Sequence, residues 1–353
     1  MKRRFLAAAG AAAVIAVLAP NAAGAAMHTV FVGGDGVVRN APAQFSPNAF
    51  LRNTVTIHVN DTVRWRFRGF HTVTVPARGK QPPAFAVASA TQKVSGVLDP
   101  AGAPFWFNGV LPTLSANPQV AAPTNGSTYG GGSLRNSGLL TGDNPQYRLR
   151  FTRTGTFTYY CAIHPGMRGR VRVVGASRRI PTEAQNARAA TSELNSLARQ
   201  ARRTAAQPAR GTLTVDLGRA PAGRRFTINA FFPSKINVKV GQTVRFTMTG
   251  QNPNEIHTIT LGPLTRQQLP FVDNRGNINP EDAYPSDPPP PAPQPPYTGT
   301  NHGNGFFNSG LRDNDAATTA IPNTGAVTFA APGTFQLKCL VHEGMDATVT
   351  VTP

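Results

Sequence analysis

Apolar and polar residues alternate through much of the chain. Val55, Ile57 and Val59, then Val63, Trp65 and Phe67, read as two strands with one buried face each, turning at Asn60-Asp61. Ile236, Val238, Val240, Val244 and Phe246 repeat that register. Short alternating runs separated by Gly and Pro predict an all-β protein, an antiparallel sandwich and not a parallel α/β sheet. One segment has the other period. Thr182 to Arg203 opens with Thr182 and Gln185 in capping-box spacing and carries a stripe at Ala190, Leu194, Leu197 and Ala201. It predicts a helix of about five turns, serving as a spacer packed against one domain.

The strand pattern occurs twice because the sequence does. Residues 45–67 align without gaps on 226–248, with Asn48, Ala49, Phe50, Val59, Thr62, Val63 and Arg64 recurring as Asn229, Ala230, Phe231, Val240, Thr243, Val244 and Arg245. Gly69-Phe-His71-Thr-Val-Thr-Val75 is answered by Glu255-Ile-His257-Thr-Ile-Thr-Leu261, and Asn136-Ser-Gly-Leu139 by Asn308-Ser-Gly-Leu311. A duplication in this order predicts two domains, residues 27–176 and 212–353, joined by a basic helical linker at 177–211. Long irregular stretches interrupt both, near 76–135 and 262–307. Pro288 to Pro296 in the second should be extended polyproline, a stiff solvated loop.

Composition narrows the setting. Thirty-four Gly and 32 Pro, with only 14% charged residues, exclude a helical bundle. Residues 1–26 read as an export signal: Lys2, Arg3 and Arg4, an apolar run from Phe5 to Leu18, and Ala23-Gly-Ala25 as cleavage site. Pro20 stops that run short of the ~20 residues a spanning helix needs. The product is expected to be exported: periplasmic, extracellular or held at the cell envelope. The net charge of +19 is uneven, with 15 basic against 4 acidic residues in 27–176 and ten of each in 212–353. A basic first domain predicts an acidic redox partner or an anionic envelope polymer. Nucleic acid is a poor partner for an exported chain without a recognised binding motif.

The chemistry lies in two seven-residue stretches, Cys161-Ala-Ile-His164-Pro-Gly-Met167 and Cys339-Leu-Val-His342-Glu-Gly-Met345. Alternation puts Phe157, Tyr159 and Cys161 on one face, and Phe335, Leu337 and Cys339 on its equivalent, so each sulfur points into an apolar interior. The Pro165-Gly166 or Glu343-Gly344 turn can fold His164 and Met167, or His342 and Met345, back toward that sulfur. His71 and His257, at matching points of the repeat, are the distant fourth donors. Two imidazoles, a thiolate and a thioether suit copper, because soft sulfur favours Cu(I) and imidazole supports Cu(II). Zinc rarely uses methionine, and haem attachment would need C-x-x-C-H. A disulfide would have to join the same internal position of two domains. His28, His58 and His302 have no repeated partner and read as filler.

At these residues the sequence resembles the cupredoxins, the plastocyanin and azurin family, with a C-x-x-H-x-x-M loop most like that of amicyanin. The resemblance implies tandem Greek-key sandwiches and one type 1 copper per domain, on His71, Cys161, His164 and Met167 and on His257, Cys339, His342 and Met345. It further implies that the second loop histidine lies near the surface as the electron portal. Thr72 and Thr258 would help tie the ligand loops, and Tyr160 matches a tyrosine on a second electron path. Two-domain copper oxidases and nitrite reductases are the rival class. They need H-x-H pairs and a histidine before the cysteine, whereas Tyr160 and Lys338 stand there and no H-x-H occurs. A non-enzymatic one-electron carrier is the reading that remains, with copper storage or delivery as a third class. Arg168, Arg170 and Arg172 beside one loop, against Glu343 and Asp346 beside the other, predict a higher potential at the first centre.

Overall fold

The computed structural model describes residues 25–353 apart from 141, 221–222, 224, 249–254, 264–270 and 315–320. All but the last two residues of the expected export signal lie outside the described residues. Strands dominate. The first half contributes β1 (Met27–Gly33), β2 (Phe45–Ser46), β3 (Phe50–Leu51), β4 (Thr54–His58), β5 (Thr62–Arg68), β6 (Thr74–Val75), β7 (Ala86–Lys93), β8 (Pro112–Ala116), β9 (Thr128–Tyr129), β10 (Arg135–Asn136), β11 (Gln146–Phe151), β12 (Gly155–Tyr160) and β13 (Arg168–Val174). The second contributes β14 (Thr214–Arg219), β15 (Thr227–Phe232), β16 (Lys235–Lys239), β17 (Thr243–Thr247), β18 (Ile256–His257), β19 (Thr260–Leu261), β20 (Phe307–Asn308), β21 (Arg312–Asp313), β22 (Thr324–Thr328), β23 (Gly333–Lys338) and β24 (Asp346–Thr352).

The sequence repeat is a repeat of strand order. One sheet runs β10-β6-β12-β13-β4 in the first half and β20-β19-β23-β24-β16 in the second. The facing sheets run β3-β1-β5-β11-β9 and β15-β14-β17-β22, the latter extended by β2. Each pair closes on its own core: Val30, Val63, Trp65, Leu149, Tyr159 and Val171 in one half, Val215, Phe246, Val327, Leu337 and Val349 in the other.

One expectation changes here. The sheets are mixed and not purely antiparallel, since β1 pairs parallel with β5 and β4 with β13, as do β14 with β17 and β16 with β24. The strands on either side of Asn60-Asp61 do not pair with each other. The turn carries the chain from one sheet to the facing one, so both alternating faces point into one core. Asn60 takes φ 74°, and Asp61 accepts the His58 amide at 2.9 Å and the Ala26 amide at 2.8 Å and also lies 2.9 Å from His28 Nε2. The buried His28 is thus the partner of a turn carboxylate.

The helix spans Glu183–Ala205 with the capping box formed on Thr182 and Gln185. It is not a spacer against one domain. Ala190, Leu194, Leu197, Ala198 and Ala201 share a core with Phe45, Ala49 and Leu51 of the first half and with Phe226 and Ile228 of the second. Beside it β2 pairs antiparallel with β15, Ser46 opposite Thr227. Those residues are counterparts in the repeat, as are Phe45 and Phe226, whose rings meet edge to face at 5.6 Å. The halves therefore meet about a local pseudo-twofold axis through this pair.

The long interruptions also pack on each other. Phe105 and Phe107 cluster with Phe306 and Tyr284, and Trp106 Nε1 donates to the Pro285 carbonyl at 2.8 Å. His302 lies 3.1 Å from Asp99 and 3.5 Å from Asp287, which raise its pKa. The 288–296 run is not one extended polyproline stretch. It turns where the Ala292 amide donates to the Pro289 carbonyl at 3.3 Å, and Gln294 Nε2 donates back to the Pro288 carbonyl at 2.8 Å. Among the described residues no helix is long and apolar enough to cross a membrane.

Candidate metal centres

Each cysteine follows the last residue of an inner-sheet strand, β12 or β23, and the alternation that buries Tyr159 and Leu337 buries Cys161 and Cys339 as well. The loop then turns back on itself. The Cys161 amide donates to the Met167 carbonyl at 3.0 Å and the Met167 amide to the His164 carbonyl at 3.0 Å; Cys339, Met345 and His342 repeat this at 3.0 and 3.2 Å. Met167 and Met345 are buried in the same cores as the cysteines.

The distant histidines reach these loops on short strands or strand edges clamped by the Asn-Ser repeats. The Val73 amide donates to Ser137 Oγ and Thr74 Oγ1 to Asn136 Oδ1, both at 2.9 Å. Ile259 with Ser309 and Thr260 with Asn308 do the same at 2.9 Å. The recurring asparagines and serines, legible only as repeats, thus hold the histidine segment. Thr72 and Thr258 tie loop to segment as expected. Thr72 Oγ1 accepts the Ala162 amide and Thr258 Oγ1 the Leu340 amide, each at 2.8 Å, and the Thr72 and Thr258 amides each point at sulfur from 3.4 Å.

Among the described residues two groups could hold a metal ion: His71, Cys161 and His164, and His257, Cys339 and His342. Cys161 Sγ lies 3.4 Å from His164 Nδ1 and 3.9 Å from His71 Nδ1, and the two Nδ1 atoms are 3.0 Å apart. Cys339 Sγ lies 3.8 Å from His257 Nδ1 and 3.7 Å from His342 Nδ1. Such separations suit one ion with ligand bonds of about 2.0–2.3 Å. Both cysteines are free thiols in sequestered positions, with no disulfide between them. Burial pushes each thiol up, but the neighbouring imidazoles outweigh it and hold both well below the ordinary thiol value. The flanking imidazoles thus favour the thiolate, the form that binds metal.

The outward edges of the loop histidines differ from the expected portal. His164 Nε2 lies 3.5 Å from Glu255 Oε1 and His342 Nε2 3.2 Å from Glu255 Oε2, so the rings face each other across one carboxylate. The His164 side chain is only 8% exposed, because the second half covers it. His342, at 17%, borders an open cleft of about 330 Å³ lined by Lys338, Leu340, Glu343 and Asp346. Burial would raise the Glu255 pKa, yet His164, His342 and Asn48 hold it well below the usual carboxylate range. Burial likewise lowers both histidines, but Glu255 and the adjacent thiolate raise His164 to about 9 and His342 to about 10. Glu255 escaped the sequence reading. Its one signal was a mismatch in the repeat, where Gly69 stands in the other copy.

No family model matches the chain, and no curated protein matches it. Solved structures that the chain matches include the reduced Cu(I) form, at pH 4, of an amicyanin point mutant, with 21% identity over 43% of this chain and 83% of that one and a TM-score of 0.21. Another is a purple cupredoxin from Nitrosopumilus maritimus, with 17% identity over 39% of this chain and 98% of that one and a TM-score of 0.20. At those values the likeness carries no argument about the sites, whose chemistry rests on their own donor atoms.

Proposed function

We propose that this chain is an exported, non-enzymatic one-electron carrier with a type 1 copper in each half, held by His71, Cys161, His164 and Met167 and by His257, Cys339, His342 and Met345. The observation that carries the reading is the twice-built cup: a buried thiolate between two imidazole Nδ1 atoms, closed by the same loop and the same threonine tie. When bound, copper would supply reversible Cu(I)/Cu(II) chemistry at a mixed sulfur and nitrogen site. The chain's own residues do the rest. The Thr72 and Thr258 amides aimed at sulfur stabilise its negative charge and tune the potential, and the apolar cores keep water from the ligands.

Export rests on the N-terminal pattern. The absence of H-x-H pairs and of a histidine before either cysteine favours a carrier over an oxidase or a nitrite reductase. Arg168, Arg170 and Arg172 are exposed along one face of β13, a surface suited to an acidic redox partner or an anionic envelope polymer. The solvent-open cleft beside His342 favours electron exchange with partners at the second half.

Copper reconstitution with metal counting and visible spectroscopy tests the reading. Two equivalents with an intense thiolate-to-copper band are expected. Further copper with consumption of oxygen or nitrite would make the protein an enzyme, and colourless binding would make it a store.

A further inference from the structure

Glu255 stands where the repeats diverge and where the halves meet. Its counterpart is Gly69, so the chain carries a carboxylate at one of the two equivalent positions and none at the other. Gly69 has no room for a second: its φ is +108°, and a Cβ there would lie 2.4 Å from Asp35 Oδ2. Glu255 is buried and accepts from Asn48 Nδ2 at 2.7 Å and Thr227 Oγ1 at 3.0 Å. One donor comes from each half, in addition to the two histidine nitrogens. A buried charge is costly unless several donors satisfy it, and here three hydrogen-bond donors and the His164 imidazole converge on a group that neither apolar core contains.

We propose that Glu255 couples the two centres, joining His164 Nε2 to His342 Nε2 so that an electron passes between them and each centre senses the charge of the other. The inference rests on the copper reading above. One electron leaves the reduced centre and enters the oxidised one; no bond forms or breaks, no proton moves, and Glu255 stays ionised. The link is short, running from Nδ1 across one ring to Nε2, over a single carboxylate, and back through the second ring. A shared acceptor also makes the centres antagonistic. Oxidising one adds positive charge to its imidazole and draws the carboxylate toward it, which leaves the other centre less stabilised in its oxidised form and raises its potential.

The test uses full-length protein, E255Q and E255D, with C161S and C339S to present each centre alone. Metal content, the thiolate-to-copper band, both potentials and the rate of electron redistribution after a brief reducing pulse are measured. Both Glu255 variants should keep two coppers and both bands. E255Q should redistribute electrons at least tenfold more slowly and shrink the potential shift that emptying one site causes at the other. E255D keeps the charge but is one carbon short of spanning both rings, so it should retain most of that shift while transfer slows. Two-copper E255Q with unchanged rate and shift overturns the bridge. Wild-type protein that binds no copper, or binds it without the band, overturns the copper reading and the coupling with it. A measurement on metal-free wild type guards against a variant that fails to fold. The Nε2 protons of His164 and His342 should be slow to exchange with solvent in nitrogen-edited NMR, and rapid exchange of both overturns the bridge.

Discussion

Loading metal into the two cups should expel protons, in an amount set by the loop histidines. In the metal-free protein burial works against the charged ring, but Glu255 and the thiolate keep His164 protonated up to about pH 9 and His342 up to about pH 10. A metal needs the Nδ1 lone pair. At pH 7 it must displace a proton from each ring, and at a decade per pH unit the competition weakens apparent affinity by about 100-fold at the first site and about 1000-fold at the second, relative to the alkaline plateau. Affinity should therefore climb by about a decade per pH unit at each site and level off near pH 9 at the first and near pH 10 at the second. Anaerobic Cu(I) competition against a chelator of known affinity, run on C339S and C161S to isolate each site, gives these curves, with a pH-stat counting released protons. Affinities that change less than threefold between pH 7 and 9 would refute the reasoning. The same charges act oppositely on the metal-free fold. The raised values stabilise it fully below about pH 6.5, and that contribution fades as pH rises through 9 to 10. Calorimetry should therefore show the Tm of metal-free protein falling over that window and that of loaded protein holding steadier.

Leu197→Ala empties a buried position in the core shared by helix and halves, and should cost about 2–5 kcal/mol by chemical denaturation. A loss under about 1 kcal/mol would mean that the helix is only a spacer. Thr72→Ala removes the acceptor of the Ala162 amide and should cost about 1–3 kcal/mol in the metal-free protein, with a shifted thiolate-to-copper band when loaded; an unmoved band would deny the threonine its role in the site. Cys161→Ser and Cys339→Ser should each remove one copper equivalent and leave the other site's band, and loss of both coppers from either variant would contradict two separate cups. Exchange with an acidic redox partner should slow as salt rises, because the arginines of β13 are exposed; salt-independent rates would remove that face from docking.

Much of this protein follows from local pattern. Period-two alternation marks the strands and the buried side of each cysteine, Thr182 and Gln185 mark the helix start, and the fixed offsets from Cys161 to His164 and Met167 fold one loop over one sulfur. These features need only neighbouring residues, so they are legible without a fold, and the duplication reinforces them by stating each twice. Even the clamp of Asn136 and Ser137 was visible as a repeat, though its purpose was not.

The tertiary structure decided how the pieces face each other. Alternation is the same whether two strands pair or stand across a core, so nothing local told that the Asn60-Asp61 turn changes sheets. An apolar stripe says that a helix is covered and not by what, so Leu194 and Leu197 could not reveal a core drawn from both halves. Above all, Glu255 meets Asn48 across 207 residues and His164 across the junction of the repeats. Contacts set by the packing of one half on the other leave no spacing in the sequence. The residues of each cup were therefore written in the chain, while the sharing of one carboxylate by two cups arises only when the halves close around it.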